Sequence, residues 1–285
     1  MKNLIFKPAF LLVVVMLSLV NAGAQKLTVE EVIAKHLESI GTKEKRASIK
    51  NQFIFADLRF NIKGGVTPGA GKAVLLSEGN KNLWGFNLNL NDYQQDRFGF
   101  DGKETKIGFI RPGVRSVLGG FIFANKELLK DGLLGGTLFS SWALLKTDDN
   151  KSRIVYEGTK KIDARETHIL SYSPKGGSDL SIKMYFDAEN YRHLRTEYNQ
   201  VISARQGGSV DSSASQTSDY YKLTENFSDF AQVSGVTIPK TYKIFYSYTG
   251  SSAAKPNREM EWTFNVTNFS LNQELDKNSF DIDAK

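Results

Sequence analysis

The chain has 285 residues, no cysteine, and a formal net charge of +6 from 37 basic and 31 acidic residues. The lack of cysteine excludes disulfides, thiol catalysis, zinc–thiolate sites and a lipid anchor attached to a cysteine. The positive charge is modest and is not gathered into a basic cluster, which argues against a nucleic-acid-binding protein. Stability must therefore come from an apolar core, and a chain of this length can bury a large one.

The first 24 residues are typical of an export signal. Two lysines precede an apolar run over residues 9–20, and residues 22–24 read Ala-Gly-Ala, the small-x-small pattern of a cleavage site. The run is shorter than the roughly 18 apolar residues that span a bilayer, and no later run is long enough. We expect cleavage near Ala24, which would leave a periplasmic chain of residues 25–285 that does not span the membrane. Loss of the two lysines would lower the net charge from +6 to +4.

The first helix of the mature chain is predicted over residues 27–41. Thr28 and Glu31 have the spacing of a capping box, and Gly41 suits the C-terminal stop. The predicted apolar face consists of Val29, Val32, Ile33, Leu37 and Ile40. His36 lies among them, and we expect it half-buried at the edge of the core rather than acting as a ligand.

From Gln52 onward, apolar residues recur at every second position, as they do in β-strands. The clearest segments are 54–62, 84–90, 180–186, 236–248 and 260–266, with shorter signals at 98–100 and 107–109. Turn-rich pieces fall at 63–71 and 78–82, and hydrophilic loops at 205–218 and 250–257. Pro239 suggests an edge position or a strand start. Roughly eleven or twelve one-sided strands predict a single domain built on an antiparallel sheet with one packed and one wet face.

A block of short, glycine-broken apolar helices, Arg111 to Leu145, interrupts this β pattern. On a helical wheel one sector holds Leu118, Phe121, Ile122, Leu128 and Leu129, and the opposite sector holds Lys126, Glu127, Lys130 and Asp131. Phe123 is an exception that falls among the charges. An exposed apolar patch of this size would be a liability for a soluble monomer, so the stripe is expected to cover something.

The sequence offers no catalytic or metal-binding motif. Gly65 to Lys72 resembles a phosphate loop, but its glycines are one residue too far apart, and Ala73 stands where a magnesium-binding Ser or Thr belongs. His36, His168 and His193 lack ligand spacing, and no nucleophile elbow is present. We therefore predict no catalytic residues, no metal, no cofactor, and a protein that is not an enzyme.

The order of signal, helix, strands, helical insert and strands resembles the periplasmic lipoprotein carrier superfamily that includes LolA, LolB and RseB. Similar local phrases are LTVEEVIAKHLESIG, then KKIDARETHILSYSPKGG with IKMYFDAENYRHLRTEY, and FSDFAQVSGVTIPKTYKIFYS before a last strand and NSFDI. The resemblance implies a mainly β fold: an incomplete antiparallel β-barrel or strongly curved sheet, with an N-terminal helix and a helical lid over an apolar cavity. The chain is longer than the simple carrier and lacks the cysteine of an anchored acceptor of the LolB kind. No functional residue of the superfamily is carried over.

The sequence therefore predicts a soluble, monomeric carrier or sensor that holds a lipid or lipoprotein acyl chain between sheet and lid. The candidate ligand-binding residues are Leu58, Phe60, Trp84, Phe86, Leu118, Phe121, Ile122, Leu128, Leu129, Phe139 and Trp142. Three alternatives stay open: a lid that plugs the sheet and leaves no cavity, an outer-membrane β-barrel, and an envelope regulatory module that binds another protein.

Overall fold

The computed structural model describes residues 27–65, 68–145, 152–203, 218–250 and 256–283. The predicted export signal lies outside these ranges, as do most of the two hydrophilic loops predicted at 205–218 and 250–257.

The helices fall where the sequence predicts them, except for a short second helix, which the sequence does not predict. They are α1 (Val29–Ile40), α2 (Lys43–Ala47), α3 (Val117–Ala124), α4 (Glu127–Lys130) and a 3₁₀ helix (Gly136–Leu138). The predicted capping box of α1 is present, because Thr28 Oγ1 accepts the Glu31 amide at 3.1 Å and Glu31 Oε2 accepts the Thr28 amide at 2.8 Å. Among the described residues, no helix is both long and apolar enough to cross a membrane.

The described strands form one antiparallel sheet. They are β1 (Asn51–Ile62), β2 (Gly69–Glu78), β3 (Lys81–Leu88), β4 (Gln95–Phe100), β5 (Thr105–Ile107), β6 (Arg153–Ile162), β7 (Arg165–Ser173), β8 (Ser181–Asp187), β9 (His193–Ile202), β10 (Asp219–Val233), β11 (Val236–Thr249) and β12 (Arg258–Leu271). Their order is β5-β4-β3-β2-β1-β12-β11-β10-β9-β8-β7-β6, and the sheet does not close into a barrel. The predicted mainly β fold with inserted helices is thus confirmed.

The pairing of β1 with β12 joins the two halves of the sheet around a shared apolar face. In β1, Leu58 and Phe60 are buried and the intervening Arg59 is exposed. Their partners across the ladder are Phe264 and Trp262, which are also buried. We call this the inner face, and the helical insert covers it, so that strands and insert share one apolar core.

The outer face is not entirely wet, contrary to the prediction. Leu76 and Leu83, cross-strand partners on β2 and β3, pack with Phe280 and Ile282 from the C-terminal segment. Leu75 and Leu76 are adjacent and therefore point to opposite faces, so β2 has an apolar side chain on each. The C-terminal segment thus covers Leu76 and Leu83, which the outer face would otherwise expose.

Pro239 lies inside β11, a strand with neighbours on both sides. The ladder between β11 and β12 begins only at Thr241, so Pro239 precedes it and pairs with β10 alone. Because proline has no amide proton to donate, it is tolerated at such a locally unpaired edge.

Candidate functional site

The insert packs directly onto aromatic side chains of the inner face. Phe139 stacks on Trp84 with ring centroids 4.8 Å apart, and Phe121 meets Tyr246 edge-on at 5.9 Å. The residues predicted to bind ligand all belong to this one buried cluster, namely Leu58, Phe60, Trp84, Phe86, Leu118, Phe121, Ile122, Leu128, Leu129, Phe139 and Trp142. The structure brings them together, and they fill the space between sheet and insert with one another.

Phe123 points away from this core, as the helical wheel predicts. Its ring is 43% exposed, the Arg115 guanidinium lies 3.9 Å from its centroid, and Lys126 Nζ lies at 4.6 Å. The apolar stripe of α3 and α4 is therefore one-sided, with one aromatic ring left among cations on the outside.

Polar side chains of the sheet hold the backbone of the insert. Asn82 Nδ2 donates to the Leu129 carbonyl at 2.8 Å, and Ser77 Oγ accepts the Ser140 amide at 2.8 Å. Asn82 and Ser77 are buried, so losing either bond would leave a polar group unpaired in an apolar environment. These bonds fix the register of the insert on the sheet.

Glu225 is a third anchor of the insert and is fully buried. Its Oε1 accepts the Gly135 amide at 2.7 Å and the hydroxyl of Tyr242, and its Oε2 lies 2.7 Å from the hydroxyl of Tyr198. Burial raises the pKa of Glu225 to about 7, against the lowering effect of these hydrogen bonds.

The geometry around Tyr198 also favours a protonated Glu225. The Tyr198 hydroxyl lies 2.8 Å from the Leu133 carbonyl as well as 2.7 Å from Glu225 Oε2, and one phenol proton serves only one acceptor. A proton on Glu225 satisfies every group, because Glu225 donates to Tyr198 and Tyr198 donates to Leu133. The middle of the insert is thereby tied to β9, β10 and β11.

Glycines allow the insert to approach this closely. Gly132 and Gly135 have φ angles of +67° and +81°, a region that other residues rarely adopt. A Cβ at Gly132 would lie 1.9 Å from the Ser141 carbonyl oxygen, and one at Gly135 would lie 2.3 Å from the Phe139 ring. Both the backbone conformation and the space therefore require glycine.

Aromatic rings surround Trp142 in the packed middle of the insert. Trp142 stacks on His193 at 5.0 Å and meets His36 edge-on at 4.8 Å, with Phe186 also 4.8 Å from His36. His36 is 1% exposed, so the prediction that it would be half-buried was wrong. Strand β9 places His193 against the side of α1 that carries His36. The periodicity of the sequence does not reveal this long-range contact. Burial lowers the pKa of His36 to about 4, which keeps it neutral and donating from Nδ1 to the Tyr191 carbonyl at 2.7 Å.

Two clefts open beside the insert. The first, the α1 cleft, has a volume of about 410 Å³. It is lined by Leu37, Ile40, Lys43, Arg46, Ala47, Ile49, Gln52, Thr137, Ser140, Leu145, Val236 and Ile238. Arg46 is already engaged there, because it donates to the Leu37 and Gly41 carbonyls at the end of α1.

The second, the α3 cleft, has a volume of about 380 Å³ and lies where β1 and β12 meet the start of the insert. It is lined by Phe60, Ile62, Leu90, Asn91, Asp92, Tyr93, Ile110, Ser116, Val117, Arg258, Met260 and Trp262. Its walls are thus mainly apolar and aromatic, with charged side chains at Asp92 and Arg258, which is the usual make-up of a small-molecule site.

A hydrogen-bonded chain fixes one wall of the α3 cleft. Trp262 Nε1 donates to the Tyr93 hydroxyl at 3.2 Å, and Tyr93 donates to Asp96 Oδ2 at 2.8 Å. Ser116 also donates to Asp96, and its Oγ accepts the Gly119 amide at 2.7 Å as the N-cap of α3. Burial raises the pKa of Asp96 to about 6. The first turn of α3 is held to the sheet through this carboxyl group.

Of the predicted ligand-binding residues, only Phe60 lines either cleft. The other apolar and aromatic cleft residues were not predicted from the sequence, among them Tyr93, Ile110, Val117, Met260 and Trp262. The alternation of β12 shows that Met260 and Trp262 share a face, but the pairing of β12 with β1 places that face beside Phe60. Among the described residues, no group of three or more His, Asp or Glu side chains could hold a metal ion.

The chain is similar to several solved structures at low sequence identity. A LolA-superfamily protein from Nitrosomonas europaea is similar at 12% identity and a TM-score of 0.48, over 89% of this chain and 97% of that one. A DUF1329-family protein from Desulfovibrio piger is similar at 11% identity and a TM-score of 0.41, over 89% and 97%. The lipoprotein LppX of Mycobacterium tuberculosis is similar at 13% identity and a TM-score of 0.24, over 60% and 88%. No protein-family model and no curated protein matches the chain.

Proposed function

We propose that this protein is an exported, non-catalytic binding or carrier protein that holds the acyl chain of a lipid or lipoprotein in the α3 cleft. The observation that carries the proposal is the composition of that cleft. Phe60, Met260 and Trp262 of the sheet face Ile110 and Val117 of the insert across about 380 Å³. A volume of this order is within the range of small-molecule sites, about 300 to 1,000 Å³.

In this proposal the structure is the closed state, in which the insert occupies the rest of the inner face. A longer ligand would extend from the α3 cleft only if α3 moved, and the residues it would then meet include Leu118, Phe121 and Phe86. A ligand would therefore contact the predicted core residues only in an open state, after α3 has moved. Contacts in the α3 cleft require no movement of α3.

Displacement of a fluorescent fatty-acid probe tests the proposal. The Val117→Trp variant places a large ring in the α3 cleft and should reduce probe affinity at least about tenfold, since each buried methylene of the probe is worth about 0.8 kcal/mol. Native mass spectrometry of protein purified from the periplasmic fraction should also detect bound acyl species.

Val155→Trp is the matched control. Val155 is 39% exposed on the edge strand β6, so a larger side chain there should leave probe affinity unchanged. The proposal would be wrong if the wild-type protein neither binds the probe nor carries acyl species, or if both variants bind the probe as the wild type does.

Strand β6 favours a second candidate function, binding of an envelope protein. It is ten residues long, and no described strand pairs with its outer edge. An edge of this kind can accept a strand from a partner. The Val155 carbonyl accepts from Ser171 of β7, so Val155 faces β7 and the amide of the neighbouring Ile154 faces the outer edge. Ile154→Pro removes that backbone donor from the edge and should abolish capture of such a partner, whereas probe binding in the α3 cleft should persist.

A further inference from the structure

A group of exposed apolar side chains lies beside the mouth of the α3 cleft. Phe109 is 50% exposed, Val114 45% and Phe123 43%, and together we call them the rim patch. Ile110 and Val117, which line the cleft, directly adjoin Phe109 and the turn that carries Val114. The exposed patch is therefore continuous with the apolar wall of the cleft.

The turn that carries Val114 of the rim patch is well defined. Ile110 and Arg111 donate their amides to the Val114 carbonyl at 2.9 and 3.4 Å, and the Val114 amide donates to the Arg111 carbonyl at 2.8 Å. Gly113 has a φ of +74°, as the third residue of a Pro-Gly turn often does. Val114 is thus held outward by a closed turn that directly follows Phe109 and Ile110.

Cations surround the rim patch. The Arg115 guanidinium lies 4.5 Å from the Phe109 centroid and 3.9 Å from that of Phe123, and Lys126 covers Phe123 as well. Arg115 Nε has no hydrogen-bond partner among the described residues. Arg111 adds a further positive charge, which an exposed Asp92 partly offsets at 3.3 Å.

We propose that the rim patch docks on the surface of an anionic lipid bilayer. Aromatic and aliphatic side chains would enter the boundary between headgroups and acyl chains, while Arg111, Arg115 and Lys126 meet lipid phosphates. A lipid surface suits the patch because the adjoining cleft then opens onto the acyl layer. An apolar ligand would pass between membrane and cleft without crossing water. Docking itself does not require a ligand, whereas this transfer rests on the proposed function.

Vesicle co-sedimentation tests the docking. The wild-type protein should sediment with vesicles of phosphatidylcholine mixed with phosphatidylglycerol, less with phosphatidylcholine alone, and less at high salt because salt screens the charges. The double variant Phe109→Ser with Phe123→Ser should lose at least about tenfold in vesicle affinity, since two exposed phenyl rings no longer enter the bilayer.

Phe55→Ser is the matched control, because Phe55 is 42% exposed on the outer face, away from the cleft. It should bind vesicles as the wild type does. The docking proposal is overturned if the wild type ignores anionic vesicles, if the double variant sediments like the wild type, or if vesicle binding is absent while a protein partner is captured through the rim patch.

Probe binding in solution separates the two proposals. The rim-patch variants should bind the fluorescent fatty acid normally, because their substitutions lie outside the lining of the α3 cleft. Vesicle binding without any probe binding would leave docking standing and overturn the ligand proposal. Probe binding without vesicle binding would leave the ligand proposal standing and overturn the docking proposal.

Discussion

The middle of the insert and its N-terminal end meet the same sheet in different ways. In the middle, from Leu133 to Trp142, apolar side chains are fully packed and the backbone is held by the buried Glu225. At the N-terminal end, Val117 is only partly buried, a cleft lies beneath it, and Phe109 projects into solvent. The middle therefore anchors the insert, whereas the N-terminal end is the part on which the ligand and membrane proposals rest.

Truncation of a central aromatic residue should give the largest effect. Trp142→Ala removes a ring that is fully buried between His36 and His193, and it should lower the free energy of unfolding by about 3 to 5 kcal/mol. Phe123→Ala, at the exposed end of the insert, should lower it by about 1 kcal/mol or less. Urea denaturation of both variants checks the contrast, and equal losses of the free energy of unfolding would show that the middle and the N-terminal end are equally anchored.

The pH dependence of stability should identify Glu225 as the anchor. Its folded pKa of about 7 lies above the ordinary value of 4.5, so the folded state keeps a proton that the unfolded state loses. The free energy of unfolding should therefore fall as the pH rises through this window, by about 3 kcal/mol from this group.

Glu225→Gln cannot ionise and isolates that contribution. The stability of the wild type relative to this variant should decline between pH 5 and pH 8. His36 has a pKa lowered to about 4, so it contributes an opposite slope between that value and 6.5, but it does so in both proteins and cancels in the difference. A stability difference that is independent of pH would show that Glu225 is ionised in the folded state.

Much of the fold follows from local patterns. The strand segments, the capping box at Thr28 and the one-sided stripe of α3 and α4 each depend on neighbours within a few positions along the chain. The exposure of Phe123 also follows, because its wheel position sets it apart from Phe121. Such features need no knowledge of distant contacts.

The candidate site depends on long-range pairing, which single-sequence patterns do not contain. The α3 cleft exists because β12 pairs with β1, bringing Trp262 beside Phe60, and because Asp96 holds Ser116 at the start of α3. Likewise, Glu225 reads as one polar residue within β10 until the fold brings Gly135 against it. The unfilled volume of the α3 cleft depends on how the strands and the insert pack together, so the sequence of the lining residues alone does not predict it.

Tryptophan quenching by a brominated fatty acid tests the location of the ligand most directly. Bromine quenches indole fluorescence at contact distance, and Trp262 lines the α3 cleft whereas Trp142 lies in the packed middle of the insert. The brominated acid should quench the wild type and the Trp142→Phe variant, and Trp262→Phe should remove most of the quenching. Quenching that survives in Trp262→Phe but disappears in Trp142→Phe would contradict the account.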